Sequence, residues 1–541
     1  MVLKTIPTGV GLPIAEGVKF INDAIEAAEQ AKIESSNAVS TSNSANQTAQ
    51  TAETKADSVQ EQFNQVVIDG DSSVEAAQAR VEKDGTSHQT LKERLDAENS
   101  EVTSRLADIA TITSSQVNIL GDGSDETSKI KSMIDSLPLH GGKLIFDKSK
   151  EITVDSNSQL VINGKKNIVI EGANLTGSSG SVFNIKGGSS YITFRDCYFK
   201  NIGQVILLLD CENITVDNCI FESTGYGIIQ QIGYVSNNVK IINNIANNVG
   251  TDFVEANCET GAISKNWTIS GNHYLGNKDF PTEGTEDRFI GMTAVENVNI
   301  SNNICMNSAG DGAIHLEDPQ GNIIITGNHF ENCVGSHAYL YFLDCGAVKN
   351  ITITNNIFIH SDEALPTEWV MNLSSGNYKN PIIFSNNQII GNTSYTLLGI
   401  NFSSQTNMIV EGNYFEMVDS VLSAFSCGEL IFSNNKIKNC NYGLLGDRSN
   451  DDTGSSLSNS NIEANYFDCN MQSVLLKGNS VGTGRPTNLS FIGNYFSSDA
   501  ITDGIDVIAI GNRISQGSTL RLGNTRLLQS NNLEIGVGLI T

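Results

Sequence analysis

The chain is poor in basic residues and has no long apolar run, and each shortage excludes a class of protein. Lysine and arginine together number 33 against 60 aspartates and glutamates, which gives a formal net charge of −27. A chain this acidic repels phosphates, so we expect no nucleic-acid partner. No run of about 18 apolar residues is present, so we expect no membrane insertion. The segment from Met1 to Gly9 contains no apolar signal core and does not resemble a secretory leader.

Sequence motifs for several common chemistries are also missing. There is no Cys-x-x-Cys pair, and the spacing of the ten cysteines fits no structural zinc pattern, so we predict neither a metal site nor a cofactor. We interpret the cysteines as small buried hydrophobic residues of a protein folded in a reducing cytosol. No Ser-His-Asp motif, P-loop or dinucleotide fingerprint occurs, so esterase, kinase and dehydrogenase activities have no motif support.

The sequence does contain a recurring motif, which we call the recurring phrase. One copy reads Asn-Ile-Thr-Ile-Thr-Asn-Asn-Ile-Phe at Asn350 to Phe358. Each copy alternates apolar and polar residues as a strand does, and a Gly, Asn or Asp turn and an apolar residue follow. We anchor each copy on the residue after the first turn residue. The anchors are Ala173, Cys197, Cys219, Asn244, Asn272, Asn303, Asn328, Asn356, Asn387, Asn413, Asn435, Asn465, Asn494 and Asn512.

Sequence repeats a few tens of residues long that contain strands but no helix are typical of a solenoid of strands, the parallel β-helix. One coil cannot bury its apolar residues alone, so it stacks on the next coil at about 4.8 Å and shares backbone hydrogen bonds with it. Crossovers between parallel strands are overwhelmingly right-handed, so we predict an all-β, right-handed parallel β-helix. The anchor asparagines suit tight turns with left-handed backbone angles. In register they can also form amide ladders.

The composition changes completely between Gly17 and about Ala110, where glycine nearly vanishes and Ala, Glu, Gln, Lys and Ser dominate. A single amphipathic helix of this length has nowhere to bury its apolar seam, so we predict an α-helical coiled-coil stalk of several chains. The seam follows three- and four-residue spacing through Val18, Ile21, Ile25, Ala28, Ala49, Ala52, Ala56, Val59, Phe63 and Val66, and again from Val74 to Ile109.

A short helix is predicted between the stalk and the repeats. Gly121 to Thr127 precedes the predicted helix, Ser128 to Leu137, and the strand Lys143 to Phe146 follows it. Asp125 or Ser124 can cap this helix, which would cover the open edge of the first coil. We therefore divide the chain into an N-terminal helical coiled-coil stalk (1–115), the capping helix with the first strand (116–160), the parallel β-helix (161–519) and a C-terminal cap (520–541).

Two parts of the chain resemble known families. Gly121 to Phe146, with Gly-Asp-Gly, two acids, Thr, a helix and Gly-Gly, resembles the N-terminal module of the pectate lyase superfamily. Ala77 to Val81 and Leu91 to Asp96 resemble connector regions in tail and neck appendages of phages that infect Gram-positive bacteria. The order of coiled coil, capping helix and β-helix is similar to that of phage tailspikes and pre-neck appendages. The Pro-x-Gly-x-Tyr that often follows the first strand in the superfamily is replaced here by Asp147 to Glu151.

The resemblance implies a pectin lyase-like β-helix and a virion protein of the tail or neck, synthesised in the host cytoplasm. It further implies a homotrimer whose stalk attaches to other virion proteins. The partner on the host would be a bacterial surface glycan such as capsule, exopolysaccharide or wall teichoic acid, which proteins of this kind bind and often cleave.

Acids that share one outward face of the β-helix are the natural candidates for such chemistry. Gly-led strands align at Gly225 to Gln230, Gly250 to Glu255 and Gly310 to Glu317, so that Gln230, Glu255 and His315 would share one column. In this alignment the inward residues are Val254, Ala256, Ile314 and Leu316, and the outward residues are Phe253, Glu255, His315 and Glu317.

An insertion at Lys278 to Arg288 lies between the last two of these strands and adds further acids. Acid-dense loops over an acid-bearing sheet suit glycan cleavage, which needs one carboxyl group as acid and another as base or nucleophile. The candidate catalytic residues are Glu255, Glu317, His315 and Asp311. The candidate substrate-binding residues are Phe253, Arg288, Glu286, Asp287, Asp252 and Trp369.

Glu255 and Glu317 are the predicted carboxylate pair, with His315 as a proton shuttle or substrate ligand and Phe253 as a sugar-stacking face. A separation of about 9.6 Å across two coils favours inverting hydrolysis. We expect hydrolysis rather than elimination because no basic column is aligned. For teichoic acid the scissile bond is a phosphodiester, and His315 and Arg288 would become proton carrier and phosphate clamp.

Two alternatives stay open. The chain could be a non-catalytic receptor-binding or structural spike that uses the same grooves, or a polysaccharide lyase. The site could also lie at a rival acid cluster, either Asp447, Arg448, Asp451 and Asp452, or Asp362, Glu363, Glu368 and Trp369.

Overall fold

The protein is described by a computed structural model, which divides into two compact units, Met1–Ser104 and Arg105–Thr541. Helix dominates the described part of the first unit, and strands dominate that of the second. The structure describes residues 26–37, 40, 44, 47–52, 54–59, 92, 94–96, 110–113, 119–138, 141–155, 159–177, 180–258, 261–276, 287–333, 338–346, 348–362, 369–374, 380–402, 407–424, 429–446, 457–476, 487–502, 506–522, 528–530 and 533–535.

The described residues of the first unit are helical and solvent-exposed almost throughout. The hydroxyls of Thr48, Thr51 and Thr54 donate to the backbone carbonyl four residues earlier, a contact that bends helices slightly. Ile33 and Val59 are exposed apolar residues on these helices. Most of the predicted seam lies outside the described residues, and the coiled coil and its number of chains stay predictions.

One sheet of the second unit contains the strands of the recurring phrase, and we call it the repeat sheet. Among the described residues it has 17 strands, and successive coils pair their strands in parallel. They are Ala110–Thr113, Gly142–Ile145, Lys166–Glu171, Ser190–Arg195, Glu212–Asp217, Asn237–Ile242, Ser264–Ser270, Val295–Ser301, Gln320–Thr326, Val348–Thr354, Ile382–Ser385, Met408–Glu411, Leu430–Ser433, Ser458–Glu463, Thr487–Ile492, Ile508–Ile510 and Leu528–Ser530.

The other 29 strands form two further rows. The short row contains Ile152–Thr153, Asn174–Thr176, Tyr198–Lys200, Ile220–Glu222, Ile245–Asn247, His273–Leu275, Ile304–Met306, His329–Glu331, Ile357–Ile359, Gln388–Ile390, Tyr414–Glu416, Tyr495–Phe496, Arg513–Ser515 and Leu533–Ile535. The bent row contains Leu160–Asn163, Ser181–Lys186, Gln204–Leu209, Tyr226–Gln230, Asp252–Asn257, Arg288–Thr293, Ile314–Glu317, Ala338–Leu343, Trp369–Ser374, Leu398–Phe402, Ser420–Ala424, Asp499–Thr502 and Leu520–Leu522. Lys436–Leu445 and Tyr466–Leu476 run through both rows.

Equivalent residues of successive coils stack on one another inside the solenoid. Ile214, Val239, Trp267, Val298 and Ile323 form one such line through the repeat sheet, and all five are buried. Because the register repeats from coil to coil, the core is one continuous column of apolar side chains. The predicted all-β parallel solenoid is confirmed.

A ladder of asparagine side chains runs along one inner corner of the β-helix. At each step the backbone N–H and the side-chain amide of one asparagine donate to Oδ1 of the next; from Asn356 to Asn387 these bonds measure 2.9 and 3.0 Å. The amide of Asn356 also donates to the carbonyl of Ile325 at 2.9 Å. The ladder runs through the predicted anchors Asn244, Asn272, Asn303, Asn328, Asn356, Asn387, Asn413, Asn435, Asn465, Asn494 and Asn512.

The left-handed backbone angles lie one residue before the anchors, which corrects the sequence prediction. Asn243 has φ of 56°, Asn355 of 57° and Asn386 of 55°, and each directly precedes a ladder asparagine. No described anchor has a positive φ. The exposed turn residue therefore takes the strained angle, and the anchor is left free to turn its amide inward.

The predicted capping helix is present as Thr127–Ser136. Oδ1 of Asp125 accepts a hydrogen bond at 3.0 Å from the first helical N–H, and the fully buried carboxylate of Glu126 accepts two backbone N–H groups of the preceding turn. Ile130 and Met133 on the inner face of the helix belong to the hydrophobic core. The Gly-Asp-Gly segment with its two acids is thus a structural device at the start of the β-helix.

Both ends of the β-helix extend past the predicted boundaries. Ala110–Thr113 lies inside the predicted stalk, yet it pairs in parallel with Gly142–Ile145. The predicted C-terminal cap is wrong in its described part, because Leu520–Leu522, Leu528–Ser530 and Leu533–Ile535 each pair with the preceding coil. A coil needs inward apolar residues but not the full asparagine phrase. The strands of the β-helix therefore continue beyond the last copy of that phrase.

The described cysteines are all buried, as predicted. None of the helices that the structure describes is long and apolar enough to cross a membrane.

Candidate functional site

The bent row positions the candidate catalytic residues on its outer face. Val254 and Ala256 are buried, as are Ile314 and Leu316, whereas the residues that alternate with them are half-buried and face outward. The predicted alternation is confirmed for Glu255, His315 and Glu317.

One outward column of the bent row contains Ile229, Glu255, Gly291, His315 and Tyr341 in successive strands. Glu255 and His315 are therefore about 9.6 Å apart along the stack, two strand spacings. Gly291 between them adds no side chain to the column. The glycine leaves room between a carboxylate and an imidazole for the side chains of Asp252 and Arg288.

Glycine is required at position 291 because two charged groups lie beside it. A Cβ atom there would collide with Oδ2 of Asp252 and would lie 3.1 Å from Nη1 of Arg288. These two residues are register partners in adjacent strands, and Nε of Arg288 is 3.6 Å from Oδ1 of Asp252. Their side chains are only 12% and 2% exposed, so the ion pair is largely shielded from water.

Arg288 also reaches the two candidate catalytic residues of the next coil. Its Nη1 atom is 3.4 Å from Nδ1 of His315, and its Nη2 atom is 3.9 Å from Oδ2 of Asp311. Asp311 is in turn 3.9 Å from Nδ1 of His315. The structure thus brings Asp252, Arg288, Asp311 and His315 together as predicted; we call them, with Glu255, the charged cluster.

Neighbouring side chains hold Glu255 and His315 in place. The amide of Asn257 donates a hydrogen bond to Oε1 of Glu255, and the ring of Tyr341 lies 4.8 Å from that of His315. Asn257 and Tyr341 were not predicted. Asn257 could have been found as the next outward residue after Glu255, and Gly291 as the glycine that interrupts an apolar strand.

Asp287 lies beneath the cluster and not in it, which corrects its predicted role as a substrate ligand. Its buried carboxylate accepts a hydrogen bond from the hydroxyl of Tyr274, and its carbonyl accepts one from Ser308 at 2.6 Å. Burial, together with the charge of Asp287, raises the pKa of Tyr274 well above its usual value. Asp287 therefore anchors the start of the strand that carries Arg288.

Phe253 is a core residue, so its predicted role as a sugar-stacking surface is wrong. It is fully buried and stacks on Phe289 with ring centroids 6.1 Å apart. The strand bends here, since its pairing skips from Asp252–Arg288 to Val254–Ile290. Two consecutive residues, Phe253 and Val254, consequently point inward, and simple alternation fails at the bend.

Trp369 is likewise buried, in a small apolar cluster with Ala338 and Tyr341, which contradicts its predicted contact with sugar. Gln230 does not share the column of Glu255, because Ile229 occupies that place and Gln230 pairs with Ala256. Gln230 is buried and donates to the carbonyl of Tyr234 at 2.9 Å.

Glu317 faces outward but belongs to another column, with Thr293 and Asn257 as its register partners. Two strand spacings and two residues along the strand place its Cα about 12 Å from that of Glu255. In the strand register His315, and not Glu317, lies in the same column as Glu255.

The remaining predicted positions lie mostly outside the described residues. These are Glu286, the cluster from Asp447 to Asp452, and Glu363 and Glu368. Asp362 is described, and its carboxylate accepts hydrogen bonds from the N–H and hydroxyl of Thr393 at 2.8 and 2.7 Å, which is a contact between the turns of two successive coils. Within the described ranges, no group of three or more His, Cys, Asp or Glu side chains could hold a metal ion.

Comparison with known proteins agrees with this architecture. Residues 148–285 match a family model described as a right-handed β-helix region, in agreement with the predicted hand. No curated protein sequence matches the chain.

Similar solved structures include a phage tailspike and two polysaccharide-acting enzymes. Tailspike protein 3 of bacteriophage CBA120 is 13% identical, with 88% of this chain and 68% of that chain covered and a TM-score of 0.35. The A-module of a mannuronan C-5 epimerase of Azotobacter vinelandii is 12% identical, with coverage of 79% and 100% and a TM-score of 0.30. A mannuronic acid-specific polysaccharide lyase from the human gut microbiota is 12% identical, with coverage of 77% and 82% and a TM-score of 0.29.

Proposed function

We propose that the charged cluster is the active site of a depolymerase that hydrolyses a bacterial surface glycan. The observation that carries the proposal is the shielded Arg288, which passes over Gly291 in the column of Glu255 and contacts His315 and Asp311. Titratable and charged groups that converge on one face of a rigid sheet are candidates for a catalytic site.

The roles follow from position. Glu255, held by Asn257, takes a proton from a water molecule, whose oxygen attacks the carbon of the scissile bond. His315, beside Asp311, gives a proton to the leaving oxygen as the bond breaks. The spacing of about 9.6 Å between the strands of Glu255 and His315 leaves room for both the water and the sugar, as in inverting hydrolysis.

Arg288 favours a substrate that carries negative charge near the scissile bond. Its guanidinium presents donors in a planar fork that fits a carboxylate or a phosphate. In a teichoic acid the scissile bond is a phosphodiester, and the same residues would act as phosphate clamp and proton carrier. A uronic acid polymer would place its carboxylate at the same guanidinium.

One observation favours elimination as a second candidate. The contact of 3.4 Å between Arg288 and His315 joins a cation that can neutralise a uronate carboxylate to a base that can remove the neighbouring proton. Elimination would leave a new carbon–carbon double bond in the product, whereas hydrolysis leaves none. The two reactions are therefore distinguished by the ultraviolet absorbance of the products.

The deciding experiment is to incubate the full chain with purified capsule, exopolysaccharide and teichoic acid of candidate hosts and to size the products. Shortened polymer without a new double bond is the expected result. Shortened polymer with the double bond assigns the protein to the lyases. Polymer that is bound but unchanged identifies a non-catalytic receptor-binding spike, the third alternative.

The proposed biological setting is the virion of a phage. In this setting the protein is a homotrimeric spike of the tail or neck, attached to other virion proteins through residues 1–115, with its β-helix directed at the host. Light scattering that gave the mass of a single chain for the intact protein would overturn the trimer. Virions that assemble normally with a chain lacking the N-terminal segment would overturn the attachment.

A further inference from the structure

The outer face of the repeat sheet changes character along the β-helix. In the early coils it carries ion pairs, Lys143 with Glu171 at 2.9 Å and Arg195 with Asp217 at 3.5 Å. In the middle coils the ion pair of Lys265 with Glu296 at 2.8 Å remains near the start of the strands, but the two outward columns that follow it contain no charged side chain until Glu411. We call this part the uncharged face; its residues are Thr268, Ser270, Asn299, Ser301, Ile324, Thr326, Thr352, Thr354, Ile383, Ser385 and Ile409.

Hydroxyl groups of the uncharged face bond to one another. Ser301 donates to Ser270 at 3.1 Å, and the hydroxyls of Thr326 and Thr354 are 3.1 Å apart. Groups that are already paired lose little when water is removed, so covering this face costs little desolvation. Ile324 adds an apolar side chain that is 41% exposed, whose burial is favourable.

Net charge determines which surfaces can approach each other in a chain of formal charge −27. Like charges repel two copies wherever acidic surfaces would meet. The uncharged face is a strip along the sheet where identical surfaces can meet without that repulsion. A nucleic acid or an acidic glycan would instead need cationic side chains, and the residues that define the uncharged face include none.

We propose that the uncharged face is the surface through which copies of this chain pack against one another. The short row also exposes apolar residues, Ile245 and Ile304 among them. However, its outward positions include His329 and Glu331 in one strand, so it is less suited to contact between copies. The proposal is independent of the proposed catalysis.

Cross-linking of the full chain tests the proposal. Single variants Ile324→Cys on the uncharged face, Ile245→Cys on the short row and Ile510→Cys beyond the face would be treated with a short bismaleimide reagent. The three isoleucines are matched, with exposures of 41%, 40% and 38%. Identical residues lie close together only near a symmetry axis, so Ile324→Cys is expected to give covalent dimers or trimers in denaturing gels.

The controls make the outcome decisive. Wild-type protein measures the background from its own thiols, and light scattering of each variant shows that its assembly is intact. Cross-linking of Ile324→Cys no greater than that of Ile510→Cys overturns the proposal, as does stronger cross-linking of Ile245→Cys. A single-chain mass for wild-type protein at micromolar concentration also overturns it.

Discussion

Buried polar groups of this protein are of two kinds: those that recur in every coil and those that occur once. The ladder asparagines recur, and each bonds to an identical residue one coil away. The ion pair of Asp252 with Arg288 occurs once and is satisfied only by its own neighbours. Repetition therefore identifies polar residues that build the solenoid. A buried charge that breaks the repeat identifies a place where the fold accepts a cost, which is typical of functional sites.

The largest expected effect is on the rate of glycan cleavage, at Glu255 of the charged cluster. Glu255→Gln keeps the hydrogen bond from Asn257 but removes the proton acceptor, and loss of a general base lowers the rate by about 10²- to 10⁴-fold. Rates of glycan cleavage measure the effect. The control is Glu317→Gln, on the same face but outside the column, which should cleave at close to the wild-type rate. Equal losses in both variants would restore the originally predicted pair of Glu255 and Glu317, and wild-type rates in both would place the site elsewhere.

Removal of the shielded cation should destabilise the fold as well as the site. Arg288→Met leaves the carboxylate of Asp252, which is 2% exposed, without its ion-pair partner, and such a change costs about 3–5 kcal/mol. The free energy of unfolding in urea reports it. Lys200→Met breaks the exposed ion pair with Glu222 and should cost less than about 1 kcal/mol. Similar losses in the free energy of unfolding for the two variants would contradict the distinction between the shielded ion pair and the exposed one.

A break in the middle of the ladder should cost somewhat less. Asn356→Ala removes the acceptor of the backbone N–H and the side-chain amide of Asn328, which both donate to it at 2.9 Å, and the side-chain donor to Asn387 and to the carbonyl of Ile325. Unsatisfied buried groups of this kind cost about 2–4 kcal/mol together. The matched control is Asn322→Ala, whose amide bonds to Asn297 at 3.0 Å in an exposed row. We expect its unfolding midpoint in urea to stay near that of wild type.

The smallest effect concerns His360, a polar residue that occurs once in the core. Burial lowers its pKa from 6.5 to about 4, so between these values the unfolded chain binds more protons than the folded one. Neutral His360 therefore contributes its full stabilisation above pH 6.5, and this contribution is lost as the pH falls toward 4. The free energy of unfolding should fall by about 2 kcal/mol between pH 7 and pH 5. His360→Gln should flatten this part of the unfolding profile relative to wild type, whereas His273→Gln, at an exposed position, should not.

The repeat made most of the fold predictable. The anchor residues, the capping helix and the inward and outward alternation at Glu255 and His315 follow from local pattern, because every coil imposes the same register on the next. Phe253 and Gln230 were misplaced for the opposite reason. The bend in the strand and the exact pairing depend on contacts between coils, and the sequence of one strand does not encode them. Arg288 was recognised as a candidate, but its contacts with Asp252 and His315 arise from residues in three different coils.

The ladder also has a consequence for how such rods change length in evolution. Every ladder asparagine offers its neighbour the same acceptor, so the coils are interchangeable at that corner. Excision of residues 356–386 would bring Asn387 to the place of Asn356, where its Oδ1 meets the same donors of Asn328 that Asn356 now satisfies. Duplication or loss of whole coils can therefore lengthen or shorten the β-helix without a compensating change elsewhere along the ladder.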